Sequence, residues 1–182
     1  LNPELIIPLR CKNVINSEIL NIPKHGCIHV HYGDLPKYAG GSPISWAILN
    51  NEKKVIPTLQ YMAAKVDSGD IIDKKEIDIT IGERELILPN DKKIKINGMT
   101  AFEIYNRCND FALQMIKENL PLIKKEENKR IVQNKENIEY KFIDEMDYGR
   151  DRYIDIDADN TKICKHVRAF TFPPMQYPSF KL

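Results

Sequence analysis

The 182-residue sequence predicts an α/β fold, in which helices flank a mostly parallel sheet. A short apolar run at residues 3–9 and an alternating run after Gly26 have the pattern of strands, and a short helix separates them. Two longer helical segments, beginning near Ser42 and Thr100, lie among further strand-like stretches. A chain of this length can bury one substantial core.

The elements of the N-terminal part follow from local signals. The strand at residues 3–9 is followed by a short helix, for which Ser17 is the predicted N-cap. The next strand begins after Gly26 and ends in a loop rich in glycine, proline and tyrosine. Ser42 then offers a hydroxyl cap, with Pro43 at the first position of a helix.

The remaining elements alternate between strands and helices. Residues 55–62 and 71–81 are strand-like and are separated by a glycine-containing turn, and residues 85–97 predict a hairpin. A helix over 100–119 begins with the Thr-x-x-Glu pattern of a capping box. A last helix is predicted over residues 160–170.

Composition limits the functions that the chain can have. A net charge of +1 argues against a large nucleic-acid footprint, which needs a strongly basic face. The four cysteines form no Cys-x-x-Cys pair, which favours reduced thiols. No apolar run approaches the ~20 residues of a membrane span and no secretory signal is visible, so we expect a cytoplasmic protein.

Two histidines and one carboxylate are the candidate functional residues. His29 and His31 share one face of the strand after Gly26, because side chains two apart on a strand point the same way. They lie where this strand ends, and α/β sheets bind ligands beyond the carboxyl ends of their strands. Asp67 stands in the turn between two later strands, and a histidine near a carboxylate suits proton transfer.

Four separated motifs stand in a characteristic order at residues 26–31, 35–40, 43–50 and 67–71. Together they resemble the 10-formyltetrahydrofolate-dependent formyltransferase family, and the interval from His31 to Asp67 agrees with that family. The resemblance implies a Rossmann-like formyltransferase fold with a catalytic core at residues 1–158. It also implies that residues 159–182 form the last helix and the start of a C-terminal part.

The resemblance implies transfer of a formyl group from 10-formyltetrahydrofolate to a primary amine. His31 would accept or shuttle the proton of the attacking amine, and Asp67 would orient His31. The family carries an asparagine where this chain has His29, which would be the remaining donor to the developing oxyanion.

Further site residues are implied by the same resemblance. The pterin would lie between the end of the first strand and the turn near Asp67, at Leu9, Arg10, Cys11, Val66, Ser68 and Gly69. The acceptor would meet the loop after His31 and the following helix, at Tyr32, Lys37, Tyr38 and Trp46.

Two segments of the sequence depart from the common family pattern, the residues after His31 and the beginning of the chain. Tyr32-Gly33-Asp34 replaces the more usual residues after the histidine, which favours a nucleotide-linked amino sugar as the acceptor. Methionyl-tRNA is the alternative, and a homo-oligomer is compatible with either. The family's first βαβ unit has no counterpart here, and the sequence begins at Leu1 without an initiator methionine, so we expect this unit to be missing or to lie upstream.

Three other functions compete with formyl transfer to an amine. Water could replace the amine, which would give a 10-formyltetrahydrofolate hydrolase. His29 and His31 could bind zinc in a metal-dependent hydrolase, with Asp67 as a third ligand. The chain could also be a non-catalytic module that binds folate.

Overall fold

The structure is a computed structural model that describes residues 2–8, 14–141, 151–174 and 177–181. Leu9, Arg10 and Cys11, which were predicted to contact the pterin, lie outside the described residues.

Four α-helices are described, together with a short 3₁₀ helix at Lys135–Asn137. The α-helices are α1 (Ser17–Leu20), α2 (Pro43–Leu49), α3 (Ala101–Lys124) and α4 (Asn160–Phe170). The strands in the described part of the chain are short. They are β1 (Ile28–His31), β2 (Ala39–Gly40), β3 (Lys54–Val55), β4 (Thr58–Tyr61), β5 (Ile71–Lys74), β6 (Ile77–Asp78), β7 (Glu83–Ile87), β8 (Lys93–Asn97), β9 (Tyr140–Lys141), β10 (Tyr153–Asp155) and β11 (Ser179–Lys181).

The central sheet has the strand order β1-β4-β5, and both of its pairings are antiparallel. The α/β class is as predicted, but a mostly parallel sheet is not what the described strands form. The loop at residues 62–70 reverses the chain between β4 and β5, whereas a parallel pair needs a crossover of about a dozen residues or more. Parallel pairing is found at the Ile6–Cys27 bridge, between β2 and β9, and between β10 and β11.

Two predicted strands are each divided in the structure. The stretch at residues 55–62 becomes β3 and β4, with Pro57 between them, because proline has no N–H to donate to a ladder. The stretch at residues 71–81 becomes β5 and β6. β6 leaves the central sheet and pairs with β3 instead.

The predicted N-caps of the two shorter helices need correction. The N-cap of α1 is Asn16 rather than Ser17, because the Asn16 side chain accepts a hydrogen bond from the backbone of Ile19. Ser42 is the N-cap residue of α2, but its backbone is left-handed and its side chain makes no capping hydrogen bond.

Helix α3 covers the central sheet and links two parts of the core. Its predicted capping box is present, and the helix runs past residue 119 to Lys124. Ile104 and Cys108 pack in a cluster with α2 and α4. Met115 and Ile123 pack in a second cluster with β1 and β4.

The predicted hairpin and last helix are both present and pack together. Strands β7 and β8 pair in register, and Ile94 and Ile96 of β8 are buried against Ile163 of α4. Helix α4 also contacts α2, where Ser45 donates to the carbonyl of Ala169 at 2.9 Å. The predicted boundary at residue 158 stays a prediction.

In the described part of the chain, α3 is the longest helix, and neither it nor any other described helix has the length and apolar character needed to cross a membrane.

Candidate active site

His29 and His31 lie in the wall of one cavity, as their spacing on β1 predicted. The cavity has a volume of about 220 Å³. Apolar side chains form one part of its wall, and two imidazoles, an amide and a carboxylate form another. The described lining residues are Pro8, Val14, Ile15, His29, His31, Gly40, Gln60, Met62, Ala63, Val66 and Asp67.

Asp67 reaches this cavity from the loop between β4 and β5. Its backbone φ is +52°, in the left-handed region. One carboxylate oxygen, Oδ2, accepts a hydrogen bond from the backbone N–H of Gly40 at 2.9 Å and lies 3.4 Å from Nδ1 of His31. Both side chains are 7% exposed, so the pair is largely withdrawn from solvent.

The ring of His31 is held from its other side by the backbone. Its Nε2 lies 2.6 Å from the carbonyl oxygen of Tyr38, and a carbonyl can only accept, so Nε2 carries a hydrogen. Gly33 permits this approach, because a Cβ there would lie 2.9 Å from Nε2 and 2.6 Å from the Cβ of Pro43. In neutral His31 the lone pair is therefore on Nδ1, which faces Asp67.

His29 is half-buried, whereas its neighbours on β1 are buried. Burial lowers the pKa of His29, and the neighbouring His31 lowers it further, although Asp67 and a hydrogen bond with the backbone of Pro8 oppose this shift. His29 is therefore a neutral imidazole at pH 7, with one N–H donor and one accepting nitrogen.

Two glutamines complete the site and were not predicted from the sequence. Gln60 stands opposite His29 in the β1–β4 ladder, and its Nε2 donates to Oδ1 of Asp67 at 2.8 Å. Gln133 donates to the carbonyl of Gly69 at 2.6 Å. Gln60 could have been predicted as a site residue, because it is a polar amide between Leu59 and Tyr61 in a strand. Gln133 could not, because it is far in sequence from the other residues of the site.

The residues predicted for the pterin occupy different positions in the loop. Val66 lines the cavity. The hydroxyl of Ser68 donates to the carbonyl of Lys65 at 2.7 Å, and Ser68 is not among the lining residues. Gly69 is buried beneath the loop, where a Cβ would lie 1.9 Å from the carbonyl oxygen of Tyr61.

The residues predicted to contact the acceptor lie outside the described wall of this cavity. The hydroxyl of Tyr32 donates to Asn109 at 2.6 Å. Lys37 and Tyr38 both donate to Oε1 of Glu52, at 2.6 and 2.8 Å, beside a second depression. Trp46 packs against the core, and its indole N–H has no hydrogen-bond partner among the described residues. Their contact with an acceptor stays a prediction.

Both ring nitrogens of His31 face oxygen atoms of the protein. Among the described residues, no group of three histidine, cysteine, aspartate or glutamate side chains is placed to hold a metal ion. Nε2 of His31 is directed at a carbonyl, and Nδ1 faces a carboxylate at a distance that leaves room for a proton.

Comparison with known proteins identifies the family. The family model described as formyl transferase matches residues 1–120. The chain is 34% identical over 180 residues to the methionyl-tRNA formyltransferase of Clostridioides difficile, which covers 99% of this chain and 52% of that protein. It is 35% identical over 150 residues to the methionyl-tRNA formyltransferase of Alkaliphilus oremlandii, covering 82% and 43%. The chain thus spans about half the length of the curated relatives it matches.

Solved structures with lower identity share the fold. An N-formyltransferase from Helicobacter canadensis, in complex with folinic acid and dTDP-3-aminofucose, has a TM-score of 0.73 at 22% identity and covers 97% of this chain and 57% of its own. The methionyl-tRNA formyltransferase from Clostridium thermocellum has a TM-score of 0.70 at 23% identity, covering 100% and 68%. The α/β formyltransferase fold predicted from the sequence is confirmed, and the chain belongs to the formyl transferase family.

Proposed function

We propose that this chain catalyses transfer of a formyl group from 10-formyltetrahydrofolate to a primary amine. The observation that carries the proposal is the convergence of His29, His31 and Asp67 on one cavity, in a chain of the formyl transferase family. This constellation provides a base, an orienting carboxylate and an N–H donor, which are the groups that acyl transfer to an amine requires.

The cavity fits part of a folate rather than the whole molecule. Its volume of about 220 Å³ is below the roughly 300–1,000 Å³ typical of pockets for larger ligands. Val14, Ile15 and Val66 provide apolar wall for a ring, while the polar side chains face the same space. The folate would supply the activated formyl carbon. It would leave as tetrahydrofolate when the bond between that carbon and the folate nitrogen breaks, and the leaving nitrogen would take up the proton that His31 has accepted. The folinic acid in the Helicobacter canadensis protein supports this choice of ligand.

His31 and Asp67 act together on the proton of the amine. The lone pair on Nδ1 accepts a proton from the attacking nitrogen, while Nε2 keeps its hydrogen on the carbonyl of Tyr38. The imidazolium then lies between a carbonyl and the carboxylate of Asp67, which stabilises its charge. The Nδ1–Oδ2 distance of 3.4 Å is longer than a normal hydrogen bond, so the lone pair on Nδ1 is not engaged by the carboxylate.

His29 is the candidate donor to the formyl oxygen, on which negative charge develops. As a neutral imidazole it has one N–H, and the backbone of Pro8 competes for that hydrogen. The loss of one oxyanion donor typically costs about 100- to 1,000-fold in rate, so a poorly directed N–H at this position would slow the enzyme.

Two acceptors remain, and a different observation favours each. The sequence Tyr32-Gly33-Asp34 after His31 favours a nucleotide-linked amino sugar. The relatives at 34% and 35% identity are methionyl-tRNA formyltransferases, which favours methionyl-tRNA. The groups that handle the proton and the oxyanion are the same in either case.

The direct test is an assay of the purified protein with 10-formyltetrahydrofolate and each acceptor in turn. We expect a formylated product with dTDP-3-aminofucose or with methionyl-tRNA, and little release of formate when neither is present. Formate release at the same rate without an amine would indicate a hydrolase. Binding of folate with no turnover would indicate a binding module, and zinc in a 1:1 ratio with protein would indicate a metal site.

A further inference from the structure

The proposed mechanism depends on an exact placement of the Asp67 carboxylate, and its partners lie outside the loop at residues 62–70. Asp67 itself has a left-handed backbone, and among the described residues its carboxylate accepts one backbone hydrogen bond, from Gly40. Two glutamines on other segments of the chain add contacts, one to the carboxylate and one to the backbone of the loop.

Gln60 fixes the carboxylate itself. Its Nε2 donates to Oδ1 of Asp67 at 2.8 Å, on the side away from His31. The orientation of this amide is determined by its partner, because a flipped amide would place two accepting oxygens against each other. Gln60 is 2% exposed and stands on β4, so its position is set by the central sheet.

Gln133 fixes the backbone of the loop. Its Nε2 lies 2.6 Å from the carbonyl oxygen of Gly69, 3.1 Å from that of Asp67 and 3.4 Å from Oε1 of Gln60. The paired hydrogen bonds between Ile71 and Ile131, both 2.9 Å, hold this distant segment beside the loop. Gln133 is 5% exposed and is not among the described residues that line the cavity.

The amide oxygen of Gln133 indicates that the side chain acts through its N–H donor. Its Oε1 is buried and has no hydrogen-bond partner among the described residues. An unpaired buried acceptor is unfavourable, so an apolar residue would fit this position better if it served only to fill space. The N–H group alone makes the contacts.

We infer that Gln60 and Gln133 are positioning residues, which hold the Asp67 carboxylate in the orientation that His31 requires. The chain of contacts runs from Gln133 to the loop and to Gln60, from Gln60 to Asp67, and from Asp67 to His31. Neither glutamine takes part in proton transfer. This inference rests on the proposed function for its kinetic consequences, but its structural part can be tested without turnover.

The test compares Gln133→Met, Gln133→Glu and Gln60→Met with Val132→Ala, a control at a neighbouring side chain that is 77% exposed. Methionine keeps the length of glutamine but cannot donate. Glutamate keeps the shape and at pH 8 places a carboxylate against two carbonyl oxygens. We expect Gln133→Met to lower kcat roughly 10- to 100-fold with little change in the KM for folate, and Gln133→Glu to lower kcat at least as much. A residue that only fills space would give both variants the kcat of the original protein.

A second experiment needs no enzymatic activity. It records the imidazole signals of His31 by NMR, and these signals are assigned by their absence from the spectrum of His31→Ala. We expect these signals to move in Gln133→Met and in Gln60→Met, and to stay in place in Val132→Ala, in samples whose circular dichroism shows a folded protein. His31 signals that are unchanged in both glutamine variants would overturn the inference. Absence of formyl transfer by the unaltered protein would instead contradict the proposed function, and the NMR arm would still decide the roles of the glutamines.

Discussion

The side chain of Asp67 has more contacts than an ordinary loop carboxylate. Its two oxygens meet Gln60, the backbone of Gly40 and Nδ1 of His31, while its backbone has a φ of +52°. A backbone conformation of this kind persists only where the surrounding structure imposes it, and such positions are common at functional sites. The contacts that impose it here are also those that orient the carboxylate.

A change at His29 tests its role as a donor to the oxyanion. Asparagine at this position provides two N–H groups, so the backbone of Pro8 no longer competes with the formyl oxygen for the only hydrogen. We expect His29→Asn to raise kcat by about 10-fold, within the range that one oxyanion donor can supply. A lower kcat in a steady-state assay of this folded variant would show that the imidazole itself is needed.

Gly69 is where close packing of the loop leaves no room for a side chain. A Cβ would lie 1.9 Å from the carbonyl oxygen of Tyr61, which is backbone and cannot move aside cheaply. We expect Gly69→Ala to lower the free energy of unfolding by about 3 kcal/mol or more, measured in urea. The control is Ser68→Ala, which loses one partly exposed hydrogen bond and should cost about 1 kcal/mol. Equal stability of the two variants would contradict the geometry.

The sequence indicated the candidate catalytic residues but not the residues that orient them. The spacing of His29 and His31 on a strand, and of Asp67 in a turn, is a local pattern. Gln133 contacts Gly69 across a long stretch of chain, and no local pattern carries that information. Lys37, one of the predicted acceptor residues, donates to Glu52 beside the second depression, and its contact with an acceptor stays a prediction.

At the scale of elements, α3 is the helix whose start is best defined. Oγ1 of Thr100 accepts from the backbone of Glu103, and the Glu103 carboxylate accepts from the backbone and the hydroxyl of Thr100. Burial alone would raise the pKa of Glu103, but the hydrogen bonds from Thr100 and from Arg84 hold it below its usual value.

Removal of this cap should destabilise the protein because Thr100 is buried at 4% exposure. We expect Thr100→Ala to lower the free energy of unfolding by about 1–2 kcal/mol in a denaturant titration. Ser17→Ala is the matched control, because Ser17 is exposed and its neighbour Asn16 makes the capping bond of α1. A loss in Ser17→Ala as large as that in Thr100→Ala would mean that the capping contact is not the cause.

Helices and hairpins with strong local sequence signals were predicted well. Strands whose ends depend on which other strand they pair with were not. The capping box of α3 and the hairpin of β7 and β8 are present where the sequence placed them. The strand predicted over residues 71–81 is divided because β6 pairs with β3 rather than continuing in the central sheet. Which strand a segment joins depends on distant residues, so periodicity alone could not show it.

At the scale of the whole molecule, the sequence patterns predicted the α/β class but not the antiparallel pairing of β1, β4 and β5. The α/β class follows from alternating helical and strand-like segments, but the order and direction of strands depend on how the chain returns. The β4–β5 loop reverses the chain within residues 62–70, and β1 pairs antiparallel with β4 across intervening elements. Family resemblance supplied the fold where pattern alone supplied only its class.

The stability of the whole molecule should depend on pH through its half-buried histidines, His29 and His166. Burial lowers the pKa values of His29 and His166, so below about pH 6.5 the unfolded chain binds more protons than the native protein. Their contribution is complete above about pH 6.5 and is lost as the pH falls. We expect urea titrations to give a lower free energy of unfolding at pH 5.5 than at pH 7.5, with a smaller difference in His29→Asn.

Carboxylates with lowered pKa values act in the same direction but at lower pH. Glu52, held by Lys37 and Tyr38, and Glu103 lose their contribution only as the pH falls through and below the ordinary range near 4.3. Measurements kept above pH 5.5 therefore report mainly on the histidines. A free energy of unfolding that rises between pH 7.5 and 5.5 would contradict the neutral state of His29 and His166.

The pairing of His31 with Asp67 is tested most directly by the single-turnover rate of formyl transfer in His31→Ala, Asp67→Asn and the double variant. We predict that each single change lowers the rate by about 100- to 10,000-fold in a folded protein. The double change should cost no more than about the larger single loss, because residues that act as a unit are not additive. A folded single variant with an undiminished rate, or a double variant whose loss is the product of the two single losses, would contradict the account.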